Sequence, residues 1–312
     1  MNTIKEIVEI SSKNHIIDGF EISKLLLEEL KSKIQNSIYN YKLLIVDIEG
    51  NDSSTSYINA IIRKCSYVGI EVIREVISKK THNLYAAMDA LYYVQKTINK
   101  HPNIPVIIPS PIINWKHYFP DISQDLIRFI NKSILSSIEK SELDIDGITV
   151  NNLGNLLAYN TPSHIPATPL AIIKLLYYYD VDIEGKNITI IGRSNLLGKP
   201  LAAALLNRNA TVTVCSSYTP KDALDNHISN SDIVISCAGS KEYLVTEHNV
   251  KPNSVVIDAA YTITNGKVHG DCDFDNIVDK VKLITPVPKG VGPMTIYSLL
   301  ENIYNYYNFY KH

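Results

Sequence analysis

Nowhere in this chain do apolar residues run on for the roughly 20 positions needed to span a bilayer, and the first residues carry acids, Glu6 and Glu9, where a targeting peptide would be basic. A protein neither exported nor anchored is expected. Neither sign of charge is in excess, with 30 Lys+Arg against 32 Asp+Glu, so the composition names no charged polymer as partner and nucleic acid is set aside. Cysteine is sparse. Cys65, Cys215, Cys237 and Cys272 show no Cys-x-x-Cys spacing, which argues against a disulfide framework or a metal site and for reduced thiols in a cytoplasmic protein. Internal repeats and low-complexity tracts are missing as well, which removes solenoids and disordered linkers from consideration. What is present is 45% hydrophobic residues over 312 positions, enough for two domains of ordinary size rather than one core.

Helical and strand periods alternate along the chain. Ile22, Leu25, Leu26, Leu30 and Ile34 mark a helix over 20–38, and KLLIVDI (42–48) reads as a buried strand. A helix over 56–70 closes at Gly69. A strand at 71–77, a helix at 83–99, a strand at 104–108 stopped by Pro109, and a helix at 123–139 follow. The Pro-rich stretch TPSHIPATP (161–169) marks a hinge. Beyond it, the apolar runs 187–191, 210–215, 232–237, 254–259 and 282–285 are separated by helix-length segments, the pattern of a parallel sheet wrapped by helices. The expected fold is α/β with two domains: residues 1–150, completed by a C-terminal helix within 292–312, and a dinucleotide-binding, Rossmann-like domain over 151–291.

The run NITII enters GRSNLLGKP (192–200), where Gly192 and Gly198 bracket a turn and LAAALL opens a helix. Amides at such a helix start would hold a pyrophosphate. With glycines six apart, a purely structural turn explains the motif equally well. The next strand, ATVTVC, tips the balance, because it ends about 20 residues on, where a dinucleotide fold meets the adenosine ribose. There the chain has Ser216 and Ser217, with no carboxylate to repel a phosphate, while Arg193 is available to pair with one. NADP is favoured over NAD. A solvated surface charge is the plain alternative for Arg193.

GRSNLLGKP, ATVTVCSSYT (210–219), SVVIDA (254–259), GDCDF (270–274) and TPVPKGVGPMT (285–295) together resemble the methylenetetrahydrofolate dehydrogenase/cyclohydrolase family. The likeness extends to IIDG (16–19), Tyr57, Pro109, Pro111, LDIDG (143–147) and PATP (166–169), in order over nearly the whole chain. It implies a reduced folate as substrate, an active site in the cleft between the two domains, and a homodimer. It also implies Tyr57 and Asp146 as catalytic residues, and Tyr57, Asp144, Asp146, Pro288, Gly292 and Pro293 as substrate contacts. Thr168, Gly192, Arg193, Ser194, Gly198, Ser217 and Tyr261 would meet the cofactor. Taken alone, either Asp also serves as a turn cap, and a helical Tyr also serves as core. The glycines of GVGP (290–293) are expected to let backbone approach the ligands closely.

The departures from the family are specific. Bifunctional members carry a Lys one helical turn after the Tyr, and here that position is Ile61; the family's Gln corresponds to Ile107. Further changes fall at Ala167, Ser216, Lys289 and Ala260–Thr262. Hydration of the methenyl product needs proton transfer, to which a positioned acid–base group contributes ~10²–10⁴ in rate, whereas hydride transfer does not. The pattern resembles the monofunctional dehydrogenases of the family, with cyclohydrolase activity weak or lost. Two alternatives stand beside it: a bifunctional enzyme using Lys64 or Lys289, and a non-catalytic folate- and NADP-binding relative.

Overall fold

A computed structural model describes residues 3–48, 52–77, 85–109, 123–138, 140–159, 162–264 and 266–311. The chain forms two compact units, one of Met1–Glu29, Leu156–Asn160 and Ile165–Ser298, the other of Leu30–Asn155, Thr161–His164 and Leu299–His312. The sequence reading joins residues 1–29 to 30–150, but the backbone ties the start of the chain to the later sheet. Ile16 bridges Ile284 in parallel, and the Ile17 N–H donates to the Ile284 carbonyl at 2.8 Å.

Helix α1 (Ile4–Ser12) begins at a capping box, in which the Thr3 hydroxyl accepts from the Glu6 N–H and the Glu6 carboxylate accepts from the Thr3 N–H. Helix α2 (Gly19–Gln35) buries Ile22, Leu26, Leu30 and Ile34 of the stripe read in the sequence, with Leu27 buried beside them and Leu25 half-buried. Then β1 (Lys42–Ile48), α3 (Asp52–Val68), β2 (Glu71–Ile77), α4 (Tyr85–Lys100), β3 (Val106–Ile107) and α5 (Gln124–Leu135) alternate. The strands form a parallel sheet in the order β2-β1-β3. Leu43 to Val46 are fully buried, because the central strand of a sheet covered on both faces needs an unbroken apolar run. Val106 also bridges Asp144 in parallel, so the LDIDG segment lies along the sheet edge beside β3 before α6 (Val150–Tyr159) begins.

In the other unit α7 (Ala167–Tyr178), β4 (Asn187–Ile191), α8 (Gly198–Leu206), β5 (Thr211–Cys215), α9 (Lys221–Ser229), β6 (Ile233–Ser236) and β7 (Val255–Asp258) lead to a hairpin, β8 (Thr262–Thr264) and β9 (Lys267–His269). Helix α10 (Phe274–Ile277), β10 (Leu283–Ile284) and α11 (Val291–Asn305) complete it. The parallel order is β10-β7-β6-β4-β5. Counted along this unit the order is 2-1-3-4-5, so the chain reverses direction across the sheet between β4 and β6, and ligands of such sheets bind beyond the strand ends at that point. Val234, Val245, Val250, Val256, Ile277 and Ile284 build its core.

Helix α11 continues into a π-helical turn, Tyr306–Tyr310. Tyr304 stacks on Tyr41, with ring centroids 5.9 Å apart, and the Tyr307 hydroxyl accepts from the Lys42 N–H at 3.0 Å. No helix among the described residues is long and apolar enough to cross a membrane.

Candidate functional site

The switch point carries a cavity of about 1000 Å³. Gly192 and Arg193 follow β4, Ser216 and Ser217 follow β5, Cys237 and Ala238 follow β6, and all of them line it together with Ser194. Two glycines make the turn possible. Gly192 sits at φ +133°, and a Cβ there would stand 2.7 Å from Cys237 Sγ and 2.8 Å from the Cys237 carbonyl oxygen. A Cβ on Gly198 would stand 2.1 Å from the Gly192 carbonyl oxygen. Gly198 is buried, so it acts by packing the start of α8 against the turn rather than by lining the cavity. The Ser194 hydroxyl accepts from the Leu197 N–H at 3.1 Å and closes the turn. A backbone cradle that side chains would fill, with Arg193 and Ser217 on its wall, suits the pyrophosphate and ribose of a dinucleotide. Thr168 and Tyr261 are not on this wall. Thr168 is within 3.4 Å of the Thr295 hydroxyl, and Tyr261 is 62% exposed beside β8.

Sequence reasoning passed over the group that shapes the far wall. Asp271 is fully buried, and its carboxylate accepts from the Ser236 hydroxyl (2.7 Å) and from the N–H groups of Ala238 (2.8 Å), Gly239 (3.3 Å) and Ser240 (2.7 Å). One side chain thereby pins the loop after β6. The neighbouring Asp258, whose carboxylate accepts from the Cys272 N–H, is pushed up to about 6, chiefly by burial. The signal was the acid in GDCDF, but nothing in that motif says which loop it holds. The four cysteines are free thiols; burial raises Cys65 and Cys237 to about 12, so they stay protonated as packing groups.

In the unit of β1, Tyr57 and Asp146 come together. Burial raises the Tyr57 phenol well above its usual range, and the charge of Asp146 adds to this. Burial, with the charge of Asp144 second, pushes Asp146 up to about 7. The two aspartates divide their work. Asp144 has no exposed surface, and its Oδ2 accepts from the Thr149 N–H (2.7 Å) and from Asn152 Nδ2 (2.9 Å); Asn152 Oδ1 in turn accepts from the Ser163 N–H at 3.0 Å. Asp144 thus ties the start of α6 to the sheet edge through Oδ2, while its buried Oδ1 has no hydrogen-bond partner among the described residues. Asp146 keeps part of its surface.

Ile61 belongs to the buried stripe of α3 with Ile58, Cys65 and Val68, and Ile107 is buried in β3 opposite Ile45. Lys64 is exposed on α3, seven residues beyond Tyr57, with its Nζ 5.9 Å from the centre of the Tyr67 ring.

The 285–290 segment before α11 contains a cis Val287–Pro288 bond, and Lys289 adopts φ +90°, a conformation that favours glycine. Pro288 and Gly292 are exposed and Pro293 is half-buried. Gly290 needs its missing side chain for the protein's own packing: a Cβ there would meet the Pro286 oxygen at 2.6 Å, and Gly19 of IIDG lies against the Gly290 carbonyl. Gly290 therefore serves the protein's own packing, while Gly292 faces open space. Pro111 lies outside the described residues.

The profile described as tetrahydrofolate dehydrogenase/cyclohydrolase, NAD(P)-binding domain, matches residues 166–311. A protein of Caldanaerobacter subterraneus subsp. tengcongensis named bifunctional protein FolD is 39% identical over 290 residues, covering 93% of this chain and 95% of that one. A crystal structure of the bifunctional FolD methylenetetrahydrofolate dehydrogenase/cyclohydrolase of Campylobacter jejuni superposes with a TM-score of 0.80 at 32% identity, over 93% of this chain and 97% of that one. The Trypanosoma brucei enzyme, complexed with NADP and inhibitor, superposes with a TM-score of 0.77 at 27% identity, over 94% of this chain and 96% of that one.

Proposed function

Because the chain belongs to the methylenetetrahydrofolate dehydrogenase/cyclohydrolase family, we propose that it oxidises 5,10-methylenetetrahydrofolate to the methenyl form with NADP, and that hydrolysis of that product is weak or lost. The observation that carries the dehydrogenase reading is the cavity at the sheet's switch point, where the Gly192–Gly198 crossing, Arg193 and Ser217 meet. NADP, when bound, supplies the hydride acceptor. Gly192 and Ser194 hold the pyrophosphate through the backbone, and Arg193 and Ser217 hold the ribose phosphate. Asp146 accepts hydrogen bonds from the pterin amino and ring NH groups, while Tyr57, kept neutral, packs against the ring. Pro288, Gly292 and Pro293 shape the substrate side, and the unit of β1 with the last helical turns is the folate unit. Hydride loss leaves a cation that its flanking nitrogens stabilise, so orientation and exclusion of water suffice for the first step. The second step has no proton carrier at Ile61 or Ile107.

A second reading retains hydrolysis, with Lys289 as the proton carrier. It is favoured by one observation: Lys289 is exposed and held at φ +90° beside Pro288, in the segment that leads into α11, and backbone strain of this kind gathers at functional sites. The other candidate, Lys64, is exposed on α3 seven residues beyond Tyr57, and loss of hydrolysis in Lys64→Ala would identify it.

NADP reduction in the presence of 5,10-methylenetetrahydrofolate tests the dehydrogenase reading, and absence of turnover with both ligands bound would make the protein a carrier. Arg193→Ala is expected to weaken NADP binding by about tenfold while leaving NAD near its wild-type affinity, as read by fluorescence titration. Equal wild-type affinity for the two dinucleotides contradicts the cofactor assignment. The homodimer implied by the resemblance is checked by sedimentation, and the cytoplasmic location by fractionation.

A further inference from the structure

The assignment above leaves two groups unused, Lys221 on the cavity wall and Tyr218, whose ring meets the wall residue Arg193. Tyr218 is 83% exposed, yet its ring faces the Arg193 guanidinium with 5.4 Å between the guanidinium carbon and the ring centre. The turn beneath it satisfies itself: the Thr219 N–H donates to the Ser216 carbonyl (2.9 Å), the Ser216 N–H to the Thr219 hydroxyl (2.9 Å), and the Tyr218 N–H to the Ser216 hydroxyl (3.3 Å). Ser217 is thereby left pointing out of a closed turn, without a partner among the described residues. Lys221 lines the same cavity, and among the described residues neither Lys221 nor Arg193 forms an ion pair with a carboxylate. The wall also carries two acids, Asp225, engaged by Asn249 Nδ2 at 2.8 Å, and Glu242 on the segment after β6.

We propose that Arg193, Tyr218 and Lys221 form one recognition site for a phosphomonoester dianion, the 2′-phosphate of the dinucleotide, with Lys221 as its second cation and Tyr218 as the brace that holds Arg193. The inference rests on the reading of this cavity as the NADP site. Charge decides the stoichiometry. A phosphomonoester carries close to two negative charges at neutral pH, one guanidinium balances only half of them, and Lys221 is the remaining unpaired cation on the wall. A guanidinium on a long stem has many orientations, and the Tyr218 face selects one while leaving its N–H edge free to donate. Tyr218 is a positioning residue, since it acts through Arg193.

Affinities for NADP and NAD are measured by fluorescence titration on the full chain for wild type, Lys221→Met, Tyr218→Ala and Tyr218→Phe. Lys221→Met is expected to lose about fivefold in NADP affinity and Tyr218→Ala about threefold, with NAD within twofold in both cases and Tyr218→Phe retaining wild-type values. The wild-type preference for NADP should also shrink as salt rises, and Lys221→Met should flatten that dependence. NAD binding in each variant reports an intact cavity. If wild type prefers NADP but Lys221→Met and Tyr218→Ala keep the full preference, the inference is overturned and the NADP reading stands. A Tyr218→Phe variant as weak as Tyr218→Ala overturns the brace. A wild type that shows no preference overturns the NADP reading itself.

Discussion

Asp146→Asn is expected to weaken binding of 5,10-methylenetetrahydrofolate by about 10²- to 10³-fold, because two hydrogen bonds to a charged acceptor contribute on the order of 3–4 kcal/mol. NADP affinity should be unchanged. The same substitution should stabilise the fold in alkaline solution. Burial and the charge of Asp144 hold the folded Asp146 at about 7 against an ordinary value near 4, so the folded state binds the proton more tightly than the unfolded chain. The stability this contributes is complete below about pH 4 and is lost as pH rises through about 7. Asn escapes that loss and should therefore gain roughly 1–3 kcal/mol at pH 8, discounted for the solvent Asp146 still meets, and little at pH 4. Wild-type folate affinity should rise between pH 6 and 8 as the carboxylate forms. Denaturant melts at the two pH values and folate titrations check both halves. A variant that loses stability at pH 8, or loses both ligands, would make Asp146 structural.

Gly198→Ala is expected to reduce NADP binding on the order of 10²-fold and to cost about 1–3 kcal/mol of stability. The added Cβ would lie 2.1 Å from the Gly192 carbonyl oxygen and 3.1 Å from Arg193 Cα. Both neighbours are backbone, so relief requires the turn itself to move by about an ångström, carrying the cradle amides and Arg193 with it. The matched control is Gly154→Ala, at an exposed position of α6 where a Cβ meets nothing within 4 Å. That change should stabilise by about 0.5–1 kcal/mol, since Ala is the better helix former. Calorimetry and NADP titration of the pair separate a steric effect at the cradle from a general cost of glycine replacement. Equal behaviour of the two variants would remove the cradle argument.

Fully buried parallel strands announce themselves as apolar runs, which is why β1, β4, β6 and β7 are legible in the sequence. The turn after β4 is legible too, because its glycines answer a contact that no side chain permits. Strand order is another matter: nothing local in NITII or DIVISC says that β6 lies beside β4. Residues 1–29 are misread for the same reason, since what places them is the pairing of Ile16 with Ile284, far apart in the chain. Helix α1 carries its signal in Thr3 and Glu6, a capping box too short to stand out without its hydrogen bonds. Asp144 and Asp146 are indistinguishable by residue type and spacing, and only the Thr149 and Asn152 donors reveal which one is committed inward. Tyr218 and Lys221 look like ordinary surface residues until the fold sets the Tyr218 ring against Arg193 and puts Lys221 on the same cavity wall.

A dehydrogenase with little or no cyclohydrolase activity is distinguished from a bifunctional enzyme by following NADPH and the methenyl product together from 5,10-methylenetetrahydrofolate and NADP. NADPH should rise with an equal amount of methenyl-tetrahydrofolate, which then decays no faster than in buffer, because Ile61 and Ile107 are buried and carry no proton. Ile61→Lys should add only modest hydrolysis, since the new ammonium would be desolvated and its pKa depressed. Methenyl product that fails to accumulate in the wild type, while NADPH rises, would contradict the claim, and loss of that hydrolysis in Lys289→Gly, which relaxes the loop's φ, would identify Lys289 as its source.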